Sequence, residues 1–405
     1  MKILILTQYF PPEVGAPQNR LFGLASQLKT KGVEVYVLTA MPNYPQMKIH
    51  EQYKGKWHVL EMTNEIRIDR AWIYVSTNRS FPVRLMNYFS FVLSSWLISF
   101  RIKGKFDYVV CESPPLFLGI SAWFISKRKR AKFIFNVSDL WPESAEKLGL
   151  VTNKLFLKLA TRLEEFLYRK SFLITGQTQG IVKNISKRFP KKKVHWLPNG
   201  IDMELLSSKP SSGWRMENGF SEDDFVLLYA GIIGYAQGLD VIIDCADKLK
   251  SYPALKFILL GDGPEKERLM KLAAEKKLSN VFFKDVVTKN KIPEVVSSID
   301  AAIIPLKKLD LFKGAIPSKI FENLALKKPI LLGVEGEAKY LFIDEGKCGL
   351  AFKPEDAQDL SEKIVLLLND RKLLKELGKN GYHYVLNNFT REKITNDFYS
   401  LLNNE

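Results

Sequence analysis

The sequence predicts an α/β chain made of two doubly wound parallel sheets in succession, and three observations carry that expectation. Short runs rich in Val, Ile, Leu and Phe alternate with stretches of helical spacing along both halves of the chain, which is how strands buried on both faces read. Several of these runs end in glycine-rich turns that lead straight into a helical pattern, the grammar of a strand–turn–helix unit. The 405 residues also suffice for two ordinary domains, at roughly 100–200 residues each.

Taken in order, the first half offers strands at 3–6, 33–39, 108–111, 133–137, 172–175 and 194–197, with helical apolar spacing over 19–29. The second half repeats the pattern at 225–229, 257–260, 281–283, 301–304, 329–333 and 349–352. A first domain over 1–200 and a second over 201–385 follow, divided at Leu197-Pro-Asn-Gly-Ile-Asp202. The Pro, Gly and Ser content of 199–213 suits a linker. Residues 386–405 include an amphipathic stretch, 387–402, that belongs to neither sheet and is placed as a helix packing back on the first domain.

Hydrophobic residues make up 46% of the chain, without low-complexity tracts, so a fully folded protein is expected. Charge is uneven. Residues 1–200 carry 31 Lys and Arg against 13 Asp and Glu, whereas 201–405 carry 29 against 31. A half at +18 beside a half at −2 fits either a merely soluble basic surface or an anionic partner of the first half, and favours the partner: a membrane surface, a phosphorylated acceptor or nucleic acid. Cys111, Cys245 and Cys348 sit singly in or beside apolar runs and read as buried thiols of a reducing compartment. His50, His58, His195 and His383 lack ligand spacing and no Asp-x-Asp occurs, so neither metal nor cofactor is expected.

Residues 2–7 read as a strand entering a turn and not as a leader, which places the chain in the cytoplasm. Residues 85–100 bring in the membrane. They are apolar and aromatic, flanked by Arg84 and by Arg101, Lys103 and Lys105. Asn87, Ser90, Ser94, Ser95 and Ser99 interrupt these 16 residues, and a spanning helix needs about 20 mostly apolar ones. The segment fits either an interfacial helix on anionic lipid or a core helix. The basic surroundings, including Lys127-Arg-Lys-Arg130 and Lys191-Lys-Lys193, favour lipid contact.

Three turns mark a candidate site in the second half. Gly231, Gly234, Tyr235 and Gln237 follow the strand at 225–229, Gly261-Asp262-Gly263-Pro264 follows 257–260, and Pro317-Ser318-Lys319 opens a helical segment carrying Glu322. Unpaired amides at a helix start, the absent Cβ of glycine and the helix dipole together favour an anion. Three such ends along one parallel sheet predict a nucleoside diphosphate across the carboxyl edge, with no role for nucleic acid. Lys319 fits either a solvated surface cation or, one turn from Glu322 and beside Ser318, a group placed to neutralise the diphosphate. Glu322 fits either a capping carboxylate or an acceptor for ribose hydroxyls.

In the first half, the turn after the first strand presents Gly15 and Arg20, and the strand at 133–137 delivers Ser138, Asp139 and Glu143 to a carboxyl edge. Asp139 fits either a helix N-cap or a group taking part in the chemistry. Arg20, Ser138, Glu143 and, at the end of the strand at 108–111, Glu112 are the candidates for an acceptor wall.

Pro11-Pro-Glu-Val-Gly15-Ala-Pro, Ser138-Asp-Leu-Trp-Pro-Glu143-Ser, Leu197-Pro-Asn-Gly-Ile-Asp202, Ala230-Gly-Ile-Ile-Gly-Tyr-Ala-Gln-Gly-Leu-Asp240, Gly261-Asp-Gly-Pro and Pro317-Ser-Lys-Ile-Phe-Glu322 span nearly the whole chain in this order. The set resembles the family 4 retaining glycosyltransferases, and within them the bacterial branch of N-acetyl-L-fucosaminyl transferases of O-antigen and capsule pathways. The resemblance implies the GT-B fold, two Rossmann-like doubly wound domains facing a cleft, with acceptor on the first and nucleotide sugar on the second. It implies that Glu322, matching the second Glu of the family's Glu-x7-Glu motif, holds the donor ribose. Ser318 and Lys319 would meet the diphosphate, Gly15 would approach the same phosphates, and the uridine base would lie near Val286. The first Glu of that motif falls on Gly314, the Arg after the second glycine of Ala-Gly-x-x-Gly on Tyr235, and a Lys two residues further on Gln237. The strand-tip His appears as Ser138, leaving Asp139 as the polar candidate. Diphosphate binding would then rest on Lys319, backbone amides and Arg20.

The expected function is therefore metal-independent transfer, with retention, of an N-acetylated amino or deoxyamino hexose from a UDP-sugar to a polyprenyl-diphosphate-linked saccharide. Catalysis is assigned to Asp139, Lys319 and Glu322, at the inner face of the cytoplasmic membrane. Two other classes compete. A sugar-nucleotide 2-epimerase shares the two-domain plan but needs acid and base groups at C2 that four histidines do not supply. A non-catalytic basic binder would explain the first half and leave the turns of the second unused.

Overall fold

The structure, a computed structural model, describes residues 1–404 apart from 14, 45, 79 and 204–212. The chain divides into two compact units, Met1–Pro198 with Ile394–Glu405, and Asn199–Lys393. The first holds eight strands: β1 Lys2–Leu6, β2 Glu34–Ala40, β3 His58–Thr63, β4 Ile66–Ala71, β5 Tyr108–Ser113, β6 Lys132–Val137, β7 Leu173–Gly176 and β8 Val194–Trp196. Their order is β3-β4-β2-β1-β5-β6-β7-β8, parallel throughout except that β3 runs antiparallel to β4. Winding reverses between β1 and β5, and the crevice outside the carboxyl ends at such a reversal is where open α/β sheets place ligands.

One face of this sheet buries Ile3, Ile5, Val35, Val37, Ile68 and Val110 with Leu21, Leu24 and Leu28 of the helix Ala16–Thr30. Ile394, Phe398 and Leu402 complete the same core, and Tyr108 Oη donates to the Leu402 carbonyl at 2.8 Å. The terminal helix Arg391–Asn403 thus supplies part of the first unit's interior. Residues 386–393, which the sequence joined to it, cluster with the second unit instead.

The hairpin of β3 and β4 escapes the sequence reading for a physical reason. Its turn is Asn64-Glu65, both at positive φ (47° and 57°), without the glycine that usually announces a two-residue hairpin. Its β4 strand also buries charge: Asp69 is fully enclosed beneath His58 (2.8 Å) and Arg67 (2.8 Å), and Arg70 reaches Glu61 at 2.7 Å.

Residues 85–100 fall largely in the helix Phe81–Ile98, whose polarity is inverted. Asn87, Ser94 and Ser95 face inward with Phe91 and Ile98. Asn87 donates to the Tyr74 carbonyl at 2.6 Å and Ser95 meets Ser121 at 2.9 Å. Met86, Phe89, Leu93, Leu97 and the following Phe100 are exposed. Among the described residues no helix is long and apolar enough to cross a membrane.

The second unit is a six-stranded, wholly parallel sheet: β9 Phe225–Ala230, β10 Leu255–Leu260, β11 Val281–Lys284, β12 Ala301–Pro305, β13 Ile330–Gly333 and β14 Gly349–Ala351. The order β11-β10-β9-β12-β13-β14 reverses between β9 and β12. Phe225, Leu227, Tyr229, Phe257, Leu259 and Ile303 fill one side, against Val241, Ile242 and Cys245 of the helix Asp240–Lys248. The start of the expected linker is bound, not loose: Ile201 N donates to the Phe389 carbonyl and Arg391 N to the Ile201 carbonyl, each at 2.9 Å. The remainder of that linker, 204–212, lies outside the described residues. Cys111, Cys245 and Cys348 are all free and buried.

Two glycines after β10 are dictated by packing. A Cβ on Gly261 would strike the Gly231 carbonyl, and one on Gly263 the Ile233 carbonyl; both residues have positive φ, 147° and 156°. Gly32 also has positive φ (77°), with nothing near its missing side chain. Gly32→Ala should therefore lose only the backbone strain, about 1 kcal/mol. Gly263→Ala should lose that plus a collision, at least about 2–3 kcal/mol in urea titration. Equal losses would refute the packing account.

Candidate active site

At the carboxyl end of β9 the chain turns through residues 231–238, and this turn is fastened to the one after β10. Gly231 N donates to the Leu260 carbonyl (2.9 Å), Ile233 N to the Asp262 carbonyl (2.9 Å), and Glu265 N to the Ile233 carbonyl (3.1 Å). Several amides that the sequence left open for an anion are thus engaged inside the protein. Gly263, expected at the donor, is glycine because the Ile233 backbone occupies its side-chain space.

Open chemistry lies on the other side of the turn, at the reversal between β9 and β12. Lys319 begins the helix Lys319–Ala325, and its ammonium lies 3.0 Å from where a side chain on Gly231 would start. A side chain on Gly231 would crowd the ammonium and make it shift. Nζ rests 3.7 Å from the centroid of the Tyr229 ring, in β9, whose hydroxyl is turned away to the Ile232 carbonyl. Burial of the ammonium pulls its pKa down to about 7, against the opposing pull of Glu322. Burial also raises the Glu322 carboxyl, opposed by Lys289, Lys319 and Arg391.

Glu322 caps nothing. Ser318, at the helix start, makes no side-chain capping bond, and among the described residues no amide or side chain donates a hydrogen bond to Glu322. Its carboxylate is only partly buried and keeps unused lone pairs, which leaves it open to donors from outside the protein. Pro317 and Ser318 are half-buried beside this pair, and the Gln237 amide oxygen packs 3.0 Å from the bare face of Gly234. Tyr235 is 62% exposed. Val286 stands 66% exposed beyond β11, two strands from β9, three residues before Lys289, whose charge acts on Glu322.

The sequence missed the aromatic ring of Tyr229, which reads as an ordinary core strand residue. It also missed Lys307, which follows β12 inside the run Leu306-Lys-Lys-Leu309 that reads as solvated surface. Lys307 N donates to the Ala236 carbonyl at 3.0 Å, and its Nζ lies 3.7 Å from the centroid of the Tyr235 ring. Only the sheet order shows that this loop borders the glycine turn.

In the first unit the structure joins three of the four acceptor candidates. Arg20 is ion-paired with Glu112 and donates to Ser138 Oγ at 2.7 Å, while Ser138 Oγ and Asn136 Nδ2 both donate to Glu112. Thr175 Oγ1 continues the chain to Asn136 Oδ1 at 2.6 Å. Arg20 is 4% exposed and Glu112 2%, so the network ties the tips of β5, β6 and β7 together and leaves little charge to offer. That differs from the expectation of Arg20 as a diphosphate ligand. Asp139 is engaged elsewhere: it accepts from Ser144 Oγ at 2.7 Å, and burial raises its pKa. Glu143 lies outside the network, half-exposed and paired with Lys147 at 2.6 Å. Gly15 has extended backbone (φ 171°) that any residue adopts, and only the flexible Gln18 side chain crowds it. Among the described residues no three His, Cys, Asp or Glu side chains cluster as metal ligands.

Truncating one member of a buried ion pair strands the other, at a cost of about 3–5 kcal/mol. Glu112→Ala should therefore destabilise the first unit by several kcal/mol in chemical denaturation, whereas Glu143→Ala, breaking an exposed pair, should lose less than about 1 kcal/mol. A small effect at Glu112 would mean that the network is not closed as described.

The sequence pattern described as Glycosyltransferase Family 4 matches residues 18–205, and that described as Glycosyl transferases group 1 matches residues 212–384. WcaI of Escherichia coli strain K12, whose name assigns it to glycosyl transfer in colanic acid biosynthesis, is 24% identical over 98% of both chains. The alpha-monoglucosyldiacylglycerol synthase of Acholeplasma laidlawii is 22% identical over 94% of this chain and 92% of its own. A crystal structure of Anabaena HepE in complex with UDP-glucose superposes over the whole of both chains with a TM-score of 0.74 at 16% identity. Two Rossmann-like sheets, the first unit matched by the family 4 pattern and the second by the group 1 pattern, identify the chain as a family 4 glycosyltransferase of the GT-B fold.

Proposed function

We propose that the protein transfers a hexose, of the N-acetylated amino or deoxyamino class, from a UDP-sugar to a hydroxyl of a polyprenyl-diphosphate-linked saccharide, building a surface polysaccharide or glycolipid. The observation that carries this reading is the Lys319–Glu322 pair at the sheet reversal: an ammonium and a carboxylate one helical turn apart, neither given a hydrogen-bonding partner by the described residues. Glu322 would accept the two ribose hydroxyls. Lys319, with Ser318 and the turn at 231–237, would face the diphosphate. As the glycosidic bond breaks, positive charge grows on the sugar and negative charge on the departing diphosphate. A cation fixed beforehand stabilises that negative charge with little reorganisation. Retention follows if the leaving phosphate takes the acceptor's proton on the same face, and the charge is then carried by Lys319 with no metal bridge. HepE's complex with UDP-glucose supports the uridine donor, and the glycolipid and colanic acid relatives support a lipid-borne or polysaccharide acceptor.

The first unit would meet the membrane through the inverted helix Phe81–Ile98. Apolar side chains turned to solvent beside Arg84, Arg101, Lys103 and Lys105 are the chemistry of an interfacial helix on anionic lipid at the inner face of the cytoplasmic membrane.

Lys319→Ala and Glu322→Ala should each lower transfer by about 10²–10³-fold with unchanged thermal midpoint. Near-normal turnover in both would remove the site. Because Lys319 is pulled down to about 7, its ammonium is lost as pH rises through that value, so UDP affinity should fall between pH 7 and 9. Binding at pH 8 should take up close to one proton, seen calorimetrically as a dependence of the heat on the buffer's ionisation enthalpy. Lys319→Arg should flatten the profile. Replacing Phe89 and Leu93 together with Glu should abolish co-sedimentation with phosphatidylglycerol vesicles and leave UDP binding intact.

A further inference from the structure

The diphosphate reading raises a question of charge. Arg20, the second cation expected from the sequence, is closed into an ion pair with Glu112, and Lys319 is desolvated to a pKa of about 7. We propose that Lys307, held on the ring of Tyr235, is a second cation for the anionic part of a nucleoside diphosphate donor. The inference rests on the donor reading given above and extends it to a residue outside the family motifs.

Four observations converge on Lys307. It lies two residues past the end of β12, at the reversal with β9, so it shares a carboxyl edge with Gly231 and Lys319. Its amide is bonded to the Ala236 carbonyl at 3.0 Å, which fixes its backbone to the glycine turn. Its stem crosses Gly238: Cγ lies 3.1 Å from where a side chain there would begin, so Gly238 serves both a left-handed backbone (φ 58°) and the passage of the lysine. Its ammonium ends 3.7 Å from the centroid of Tyr235, a ring 62% exposed.

Several other cations of the second unit are paired with carboxylates, while Lys289 acts on Glu322. Lys266 pairs with Asp285, Lys313 with Asp310, and Arg268 with both Asp240 and Glu265. Lys307 has no carboxylate within ion-pair distance among the described residues, though its charge reaches Asp240, which Arg268 already pairs. A ring face holds an ammonium in place without cancelling its charge, by about 0.5–1 kcal/mol at an exposed site. That is weak enough to yield to a charge-assisted bond with a phosphate oxygen. Tyr235 then positions the lysine, and the exposed ring accounts for an aromatic residue in a ligand-facing turn.

The test is calorimetric titration of the full chain with UDP, and with uridine as the phosphate-free control. Lys307→Met keeps the stem over Gly238 and removes the charge; Lys307→Arg keeps the charge. The expected result is a UDP affinity about tenfold lower in Lys307→Met, recovered to within about threefold in Lys307→Arg. Tyr235→Leu should lose a few-fold, and all variants should keep the wild-type uridine affinity and thermal midpoint. Equal UDP affinity in wild type and Lys307→Met, with binding still lost in Lys319→Ala, would overturn this inference and leave the donor reading standing. Equal losses of UDP and uridine affinity would reduce Lys307 to a structural strut and overturn it too. Absence of any nucleoside diphosphate binding by the wild type would overturn both.

Discussion

The geometry of the second unit depends on one close contact, backbone against backbone, between the turns that follow β9 and β10. Carbonyl oxygens of Gly231 and Ile233 occupy the space where side chains would stand at Gly261 and Gly263. Interstrand hydrogen bonding therefore continues past the ends of the strands, through Gly231 to Leu260 and Ile233 to Asp262. A turn fastened on one side presents a fixed surface on the other. That surface is where Gly231 admits the Lys319 ammonium and where Gly238 lets the Lys307 stem pass. The glycine-rich sequence is thus used twice, for packing behind the turn and for access in front of it.

The two sheets treat buried charge in opposite ways. At the strand tips of the first, Arg20, Glu112, Ser138, Asn136 and Thr175 are joined by an ion pair and hydrogen bonds across β5, β6 and β7. A closed network of this kind rigidifies the strand ends. At the reversal of the second, Lys319 and Glu322 are desolvated without such partners, and burial pushes each pKa toward the neutral form. Groups desolvated in this way, with shifted ionisation, are candidates for a functional site.

A related inversion shapes the first unit's surface. The helix Phe81–Ile98 turns its serines and Asn87 toward the protein, where they bond to carbonyls and to Ser121, and its large apolar side chains to the outside. Water does not favour that arrangement, whereas a lipid interface does. The cations at both ends of the helix and in the +18 half around it add the long-range attraction that an anionic surface would feel.

Composition and periodicity alone determined the fold class and twelve of the fourteen strands among the described residues, because strands buried on both faces read as near-continuous apolar runs and their turns are marked by glycine. The two strands they did not reveal, β3 and β4, bury Asp69 and Arg70 and turn through Asn64-Glu65, so neither the apolar run nor the glycine was there to read. Lys319, Ser318 and Glu322 were legible because their spacing along one helix places them on neighbouring turns. Which of the remaining candidates share a site was decided only by sheet order. Parallel strands joined by crossovers bring together residues far apart in sequence, and the reversals at β1/β5 and β9/β12 paired Arg20 with Glu112 and set Lys307 against Tyr235. No local pattern encodes such contacts, because each partner's own segment would look the same if the strands were ordered differently.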